Sequence, residues 1–447
     1  MAKAHVMMVP FPMHGHVIPL LELAKSLAKH GTKITFVNTE IIHERIFNID
    51  RHKREALLED GVRLVSVSDG LESNERYIPG KLMEAVYKVI PQKIEELIRE
   101  IDDTSKEDRI TCIIYDQSIG SIQKVAGAMG IRSAAFLPAA AASLVLGYNI
   151  PNLIEDGIID GEGAPLSNKP IQFSPTMPIM TPSDFVWHRI KIPTVQKLIF
   201  NIMIQNNIAT SSVDRLICNS IHDLEPGAFA SSPQIIPIGP LLENSSSLQG
   251  HFRQNDSNKC LEWLDRHPTC SVIYVAFGSL AMFNKAQFQE LAVGLEITEM
   301  PFLWVVRPDN RNFPEGFSER VSSRGKIVEW APQQKILSHP SIACFVSHCG
   351  WNSTVESVSN GVPILCWPYF ADQFINQSYI CDIWKIGLKF ENDDVTSGEI
   401  KDKIRRLIED CAFKETALCL REKIEISARE GGNSYNNLKN FITWIKN

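Results

Sequence analysis

Residues 5–38 read HVMMVPFPMHGHVIPLLELAKSLAKHGTKITFVN, and the order of patterns within them decides the fold. His5 to Pro10 is a short apolar run, as expected of a strand buried on both faces. A turn follows from Phe11 to His16. Leu20, Leu21, Ala24, Leu27 and Ala28 then recur at helical spacing, Gly31 ends the helix, and residues 33–38 form the next strand. Strand, helix and strand in such quick succession make a βαβ unit, and hence a parallel sheet covered by helices.

Working outward, further strands are expected at 63–68 and 110–115. The pattern restarts in the second half with the strand 271–277 and a helix carrying Phe288, Leu291, Ala292 and Leu295. Strands are then expected at 302–306, 326–329, 342–346 and 362–366. Thr396 and Glu399 stand in capping-box spacing ahead of Ile400, Ile404, Leu407 and Ile408. Between the halves, residues 242–258 are rich in Ser, Asn and Gln and read as a linker. At 447 residues the chain exceeds what one core can organise. The fold class is therefore α/β, with two Rossmann-like domains facing across a cleft: residues 1–241 and 259–430, joined by 242–258 and followed by a tail at 431–447. Residues 138–193 are poor in periodicity and include Phe185 and Trp187. They read as loops over the cleft that shape a pocket.

Composition narrows the function. The net charge of −7 gives phosphate backbones little to bind, so no nucleic-acid partner is expected. The ten cysteines are scattered without a CxxC pair, which argues against a metal or redox centre. Residues 1–10 lack the features of a signal peptide, and no run reaches the roughly 18 apolar residues of a spanning helix. A cytoplasmic monomer is the expectation, and the sequons at Asn244, Asn255, Asn352 and Asn376 count as chance.

The most informative stretch is 330–373. A strand at 342–346 runs into Ser347-His348-Cys349-Gly350-Trp351-Asn352-Ser353 and then a helix ending at Asn360-Gly361. Gly350 permits a tight turn, and Asn352 and Ser353 suit a helix start. Such a helix terminus can hold a diphosphate on its N–H groups, with His348 donating from the strand end. Glu356, one turn on, can accept both hydroxyls of a ribose. Asp372 and Gln373 follow the next strand and suit sugar hydroxyls. Trp330 offers a flat face to a nucleobase, and Gly278-Ser279 gives another backbone approach to phosphate. Neither GxGxxG after a strand nor GxxxxGK[ST] occurs, which removes the main support for NAD-type and P-loop readings.

Trp330-Ala331-Pro332-Gln333, His348-Cys349-Gly350-Trp351-Asn352-Ser353, Glu356 and Phe370-Ala371-Asp372-Gln373 together resemble the signature box of plant family 1 UDP-dependent glycosyltransferases, enzymes of the GT-B architecture. The resemblance implies uracil stacking on Trp330 with help from Ala331 and Gln333. It implies diphosphate contacts from His348, Asn352, Ser353 and Ser279, ribose binding by Glu356, and sugar contacts from Trp351, Asp372 and Gln373. With Trp351 and Gln373 at those positions, the resemblance also implies UDP-glucose as donor co-substrate, with no separate cofactor. A C-terminal helix near 435–445 is expected to return to the first domain.

Glycosyl transfer to a hydroxyl needs a base, and His16 and Asp116 are the candidates. Each lies at the carboxyl end of an expected strand, where a carboxylate could fix the imidazole tautomer. By position they match the family's catalytic pair. His14 departs from the family pattern, but two histidines without a third ligand do not make a zinc site. Alanines at 139–142 replace a hydroxyl residue common in relatives, which loosens the expected sugar preference. The expected function is inverting transfer of glucose to a hydroxyl of a small apolar aglycone, phenolic, flavonoid or terpenoid. The alternatives are a non-catalytic UDP-sugar or apolar-metabolite binding protein and a nucleotide-sugar epimerase.

Overall fold

The computed structural model describes the whole chain except residues 1–3, 48–54, 58–60, 73, 105, 191, 243–250, 280–282 and 392–393. Its contacts separate two compact units, Met1–Gly250 with Ser427–Asn447, and His251–Ile426.

The first unit is built on an eight-stranded sheet. In chain order the strands are β1 His5–Val9, β2 Lys33–Thr39, β3 Glu55–Leu57, β4 Val62–Val67, β5 Cys112–Asp116, β6 Arg132–Leu137, β7 Arg215–Cys218 and β8 Ile235–Pro237. Their spatial order is β3-β4-β2-β1-β5-β6-β7-β8, parallel throughout except for β3 against β4. The chain starts in mid-sheet and builds first to one side of β1, then to the other. The carboxyl ends of β1 and β5 thus form a topological switch point, where open α/β sheets bind ligands.

One face of this sheet is sealed by helix His14–Lys29, with Leu20, Leu21, Ala24 and Leu27 against Val6, Met8, Phe36 and Ile114. Phe441, Ile442 and Ile445 of helix Asn433–Lys446 join the same cluster, so the last helix completes the first unit's core. Arg132 fastens it, donating to the carbonyls of Trp444 (2.8 Å) and Ile445 (2.9 Å) while standing over the Trp444 ring.

The second unit holds β9 Val272–Ala276, β10 Phe302–Val305, β11 Gly325–Val328, β12 Ile342–Ser347, β13 Ile364–Cys366 and β14 Gly387–Lys389. Their order is β11-β10-β9-β12-β13-β14, all parallel, which puts a second switch point between β9 and β12. Helices Lys285–Thr298 and Ser397–Glu409 supply Phe288, Leu291, Leu295, Ile400 and Ile404 to the core on one face. Thr396 caps the second of these, accepting the Glu399 N–H.

Three expectations change. Residues 138–193 are not only loops, since Ala141–Tyr148 and Ile150–Glu155 are helices. Phe185 and Trp187 do not line a pocket. Both are fully buried, Trp187 packs on Phe185 and Phe200 with centroids about 5 Å away, and its Nε1 donates to the Gly163 carbonyl at 2.8 Å. Large aromatics in a Pro-rich stretch here anchor the loop to the core. Of the expected linker, 243–250 lie outside the described residues, and from His251 the chain is already the helix His251–Leu264. A polar helix start has the same composition as a linker, and the residues that join the core, Cys260 and Leu264 with Leu261 and Trp263 against them, come after residue 258.

All ten cysteines are free thiols. Among the described residues, no helix is long and apolar enough to cross a membrane.

Candidate active site

At the first switch point, His16 enters from the turn after β1, as the third residue of helix His14–Lys29. Asp116 is the last residue of β5, the strand beside β1. Their side chains meet: His16 Nδ1 lies 2.8 Å from Asp116 Oδ2. Asp116 is wholly buried, whereas the His16 side chain keeps 27% of its surface exposed. The Asp116 carboxylate is itself oriented, since Oδ1 accepts the Ser118 N–H at 2.9 Å. The Phe11 ring packs tilted against the imidazole, centroids 5.2 Å apart. A carboxylate accepting at this contact favours the tautomer with the proton on Nδ1 and the lone pair on Nε2. His14 stands exposed on the same turn, and among the described residues no group of three or more His, Cys, Asp or Glu is arranged to hold a metal.

At the second switch point, parallel strands deliver four loops to one sheet edge. Ser279 follows β9, Trp330 follows β11, the segment from His348 to Glu356 follows β12, and Asp372 and Gln373 follow β13. The turn after β12 is strained and tied down. Cys349, buried and not a glycine, has φ of +63°. Its N–H donates to Ser347 Oγ at 3.1 Å, and its carbonyl accepts Asn376 Nδ2 at 2.9 Å. Helix Trp351–Ser359 then begins with Gly350, which has no side chain to cap it, and the first intrahelical bond runs from Thr354 N–H to the Gly350 carbonyl. This is the geometry with which a helix N-terminus receives an anion.

His348 is wedged between two glycines. A Cβ on Gly278 would lie 2.8 Å from its Nε2, and one on Gly350 would lie 2.5 Å away. Gly278 also takes φ of +67°. Burial holds the imidazole down at about pKa 4, so the ring is neutral at assay pH, and its Nδ1 is buried without a protein partner. The neutral ring is favoured in the fold, while the unfolded chain takes up a proton as pH falls through about 6.5. Stability is therefore expected to fall between about pH 6.5 and 4. His348→Gln should flatten that acid limb, as melting temperature against pH would show.

Gln333 ties three side chains of the second unit together. Its Nε2 donates to Ser353 Oγ at 2.8 Å and to Glu356 Oε2 at 2.6 Å, and its Oε1 accepts from the Tyr274 hydroxyl at 3.3 Å. Trp330 is half-buried and Ala331 buried at the head of the same loop. Tyr274, buried in β9, is a member of this network that the sequence reading missed. Tyr274→Phe is expected to raise the UDP-sugar KM about three- to tenfold with kcat nearly unchanged, the loss of one ordinary hydrogen bond.

On the β13 side, Gln373 is buried and its Oε1 accepts the N–H groups of Tyr369 (2.6 Å) and Phe370 (3.1 Å). Asp372 heads helix Gln373–Ser378, and its Oδ2 accepts Asn376 Nδ2 at 3.0 Å. Asn376, missed from sequence, thus links the Asp372 loop to the Cys349 turn. Ser279 is exposed, and Arg307 donates to its carbonyl. The Trp351 indole is buried and leans on Trp384, centroids 6.3 Å apart.

The family described as UDP-glucoronosyl and UDP-glucosyl transferase matches residues 234–424. UDP-glycosyltransferase 83A1 of Arabidopsis thaliana is 48% identical, over 100% of this chain and 97% of that protein. The chain belongs to the plant family 1 UDP-glycosyltransferases. This transferase is also 32% identical to linamarin synthase 1 of Manihot esculenta, over 98% of the chain and 96% of that protein. The structure of a UDP-glucose:anthocyanidin 3-O-glucosyltransferase in complex with UDP aligns over 100% of the transferase and 99% of that chain, with TM-score 0.84 and 27% identity. Membership sets aside the non-catalytic binding reading. The two Rossmann-like sheets are those of the GT-B architecture that the resemblance implied.

Proposed function

We propose that the protein transfers glucose from UDP-glucose, with inversion, to a hydroxyl of a small apolar aglycone, with His16 as general base. The observation that carries this reading is the 2.8 Å contact between a partly exposed imidazole and a wholly buried carboxylate at a sheet switch point. Asp116 holds Nδ1–H and so presents Nε2 as the basic atom. As the acceptor oxygen attacks the anomeric carbon, Nε2 takes its proton, and Asp116 stabilises the imidazolium that forms. The bond from the anomeric carbon to the diphosphate oxygen breaks, and UDP departs with that electron pair. In the donor site, the start of helix Trp351–Ser359, with Asn352 and Ser353, takes up the charge that develops on the diphosphate, without a metal. His348 adds a neutral polar ring beside it. Glu356 binds the ribose, Trp330 the uracil, and Asp372 and Gln373 the glucose hydroxyls.

The names of two similar proteins, a UDP-glucose:anthocyanidin 3-O-glucosyltransferase and the gallate 1-beta-glucosyltransferase 84A24 of Punica granatum, agree with glucose as donor and a small molecule as acceptor. Ten free thiols suit a reducing compartment, and the cytoplasm is the proposed location.

The test is a mass-spectrometric screen of phenolic, flavonoid and terpenoid aglycones against UDP-glucose, UDP-galactose and UDP-glucuronic acid. A glucoside formed with release of UDP supports the reading. Transfer from another sugar nucleotide in preference to UDP-glucose overturns the donor assignment, and interconversion of the sugar with no acceptor present overturns the reaction class.

A further inference from the structure

Helix Ala141–Tyr148 opens inside a run of four alanines, 139–142, and Ala140 gives it no side-chain cap. The cap comes from far along the chain. Glu225, fully buried, accepts the Ala141 N–H at Oε2 and the Ala142 N–H at Oε1, both at 3.0 Å. Ser220 Oγ donates to Oε2 at 2.6 Å. The turn held this way leaves the sheet from β6, the neighbour of β5, and Asp116 is paired in register with Phe136. Residues 138–140 therefore emerge beside the carboxylate that orients His16. Two further ties close the same turn: the Asn219 N–H donates to the Leu137 carbonyl at 2.9 Å, and Cys218 Sγ to the Ala139 carbonyl at 3.5 Å.

We infer that Glu225 is a positioning residue for the acceptor: its carboxylate fixes the 138–142 turn as the wall beside the His16–Asp116 pair. The inference rests on His16 being the base. A turn made of alanines has no side chain with which to hold itself, and a carboxylate kept out of water is costly unless donors surround it. Here three neutral donors do so. Burial nonetheless pushes the Glu225 carboxyl up to about 7, against those hydrogen bonds, which pull it down. The titratable group facing it is Cys218 of β7, whose thiol burial pushes up. Glu225 thus changes protonation within the assay range. Ionised, it accepts from all three donors, whereas protonation turns one oxygen into a donor and loosens the turn. Acceptor affinity is therefore expected to improve as pH rises through about 7.

Steady-state kinetics of the full chain test this, with UDP-glucose and the aglycone turned over fastest in the screen, from about pH 5.5 to about pH 9. Glu225→Gln is expected to raise the acceptor KM about tenfold at high pH. It should leave the UDP-glucose KM within about twofold of wild type and abolish the change in acceptor KM through pH 7. Should that variant fail to fold, Ser220→Ala removes one donor to the ionised form and should move the inflection to higher pH. An acceptor KM in the wild type that is flat through pH 7, or a Glu225→Gln profile that matches wild type, overturns the inference. If His16→Ala turns over normally, the base assignment fails instead. If His16→Ala is inactive while Glu225→Gln behaves as wild type, only the role of Glu225 falls.

Discussion

His16→Ala is expected to lower kcat by about 10²–10⁴-fold while UDP-sugar affinity stays within about twofold of wild type. The split follows from where the residues lie. His16 sits at the end of β1 in the first unit, whereas the loops that build the donor site all leave the second sheet. Alanine removes the atom proposed to accept the proton and leaves the loops of the second sheet unchanged in sequence. Asp116→Asn belongs with it: an asparagine can still accept from Nδ1 but carries no charge to stabilise the imidazolium, so kcat should fall while UDP binding holds. Calorimetric binding of UDP beside turnover reads both quantities. Unchanged turnover in His16→Ala removes this residue from the mechanism.

Gly350→Ala is expected to do the opposite, raising the UDP-sugar KM by about ten- to a hundredfold. A methyl group there would lie 2.5 Å from His348 Nε2, and the imidazole has Gly278 on its other side, so neither ring nor turn can give way cheaply. The turn is already committed elsewhere, with Cys349 in a left-handed conformation held by Ser347 and Asn376. Shifting it displaces the start of helix Trp351–Ser359 and the N–H groups proposed to receive the diphosphate. The defect should appear in UDP affinity itself, with the His16–Asp116 pair unaffected. A variant that binds UDP as tightly as wild type would show that this turn is no part of the donor site.

What the sequence made legible was what short-range pattern encodes. Residues 5–38 announced β1, its helix and β2 because apolar runs alternate with helical spacing there, and the same held from 342 to 361. β6 escaped because RSAAFL is half small residues, and β7, β8 and β14 because three or four residues carry no periodicity. Phe185 and Trp187 misled because burial is decided by what folds over a residue, and Phe200 reaches Trp187 from the helix Pro193–Thr210. The His16–Asp116 pair could be suspected although 100 residues separate its members, since both stand at strand ends that a parallel sheet brings to one edge. Glu225 and Tyr274 could not. The helix start that Glu225 caps lies 84 residues away and the Gln333 that Tyr274 bonds 59, and a buried glutamate in a loop or a tyrosine in an apolar strand sends no local signal.

The most direct measurement is a crystal structure of the protein with a non-transferable UDP-2-fluoroglucose and an aglycone identified in the screen. The expected result is an acceptor hydroxyl within about 3 Å of His16 Nε2, with the diphosphate on the first N–H groups of helix Trp351–Ser359. A hydroxyl bound out of reach of that imidazole, or a diphosphate seated away from that helix, would contradict the account.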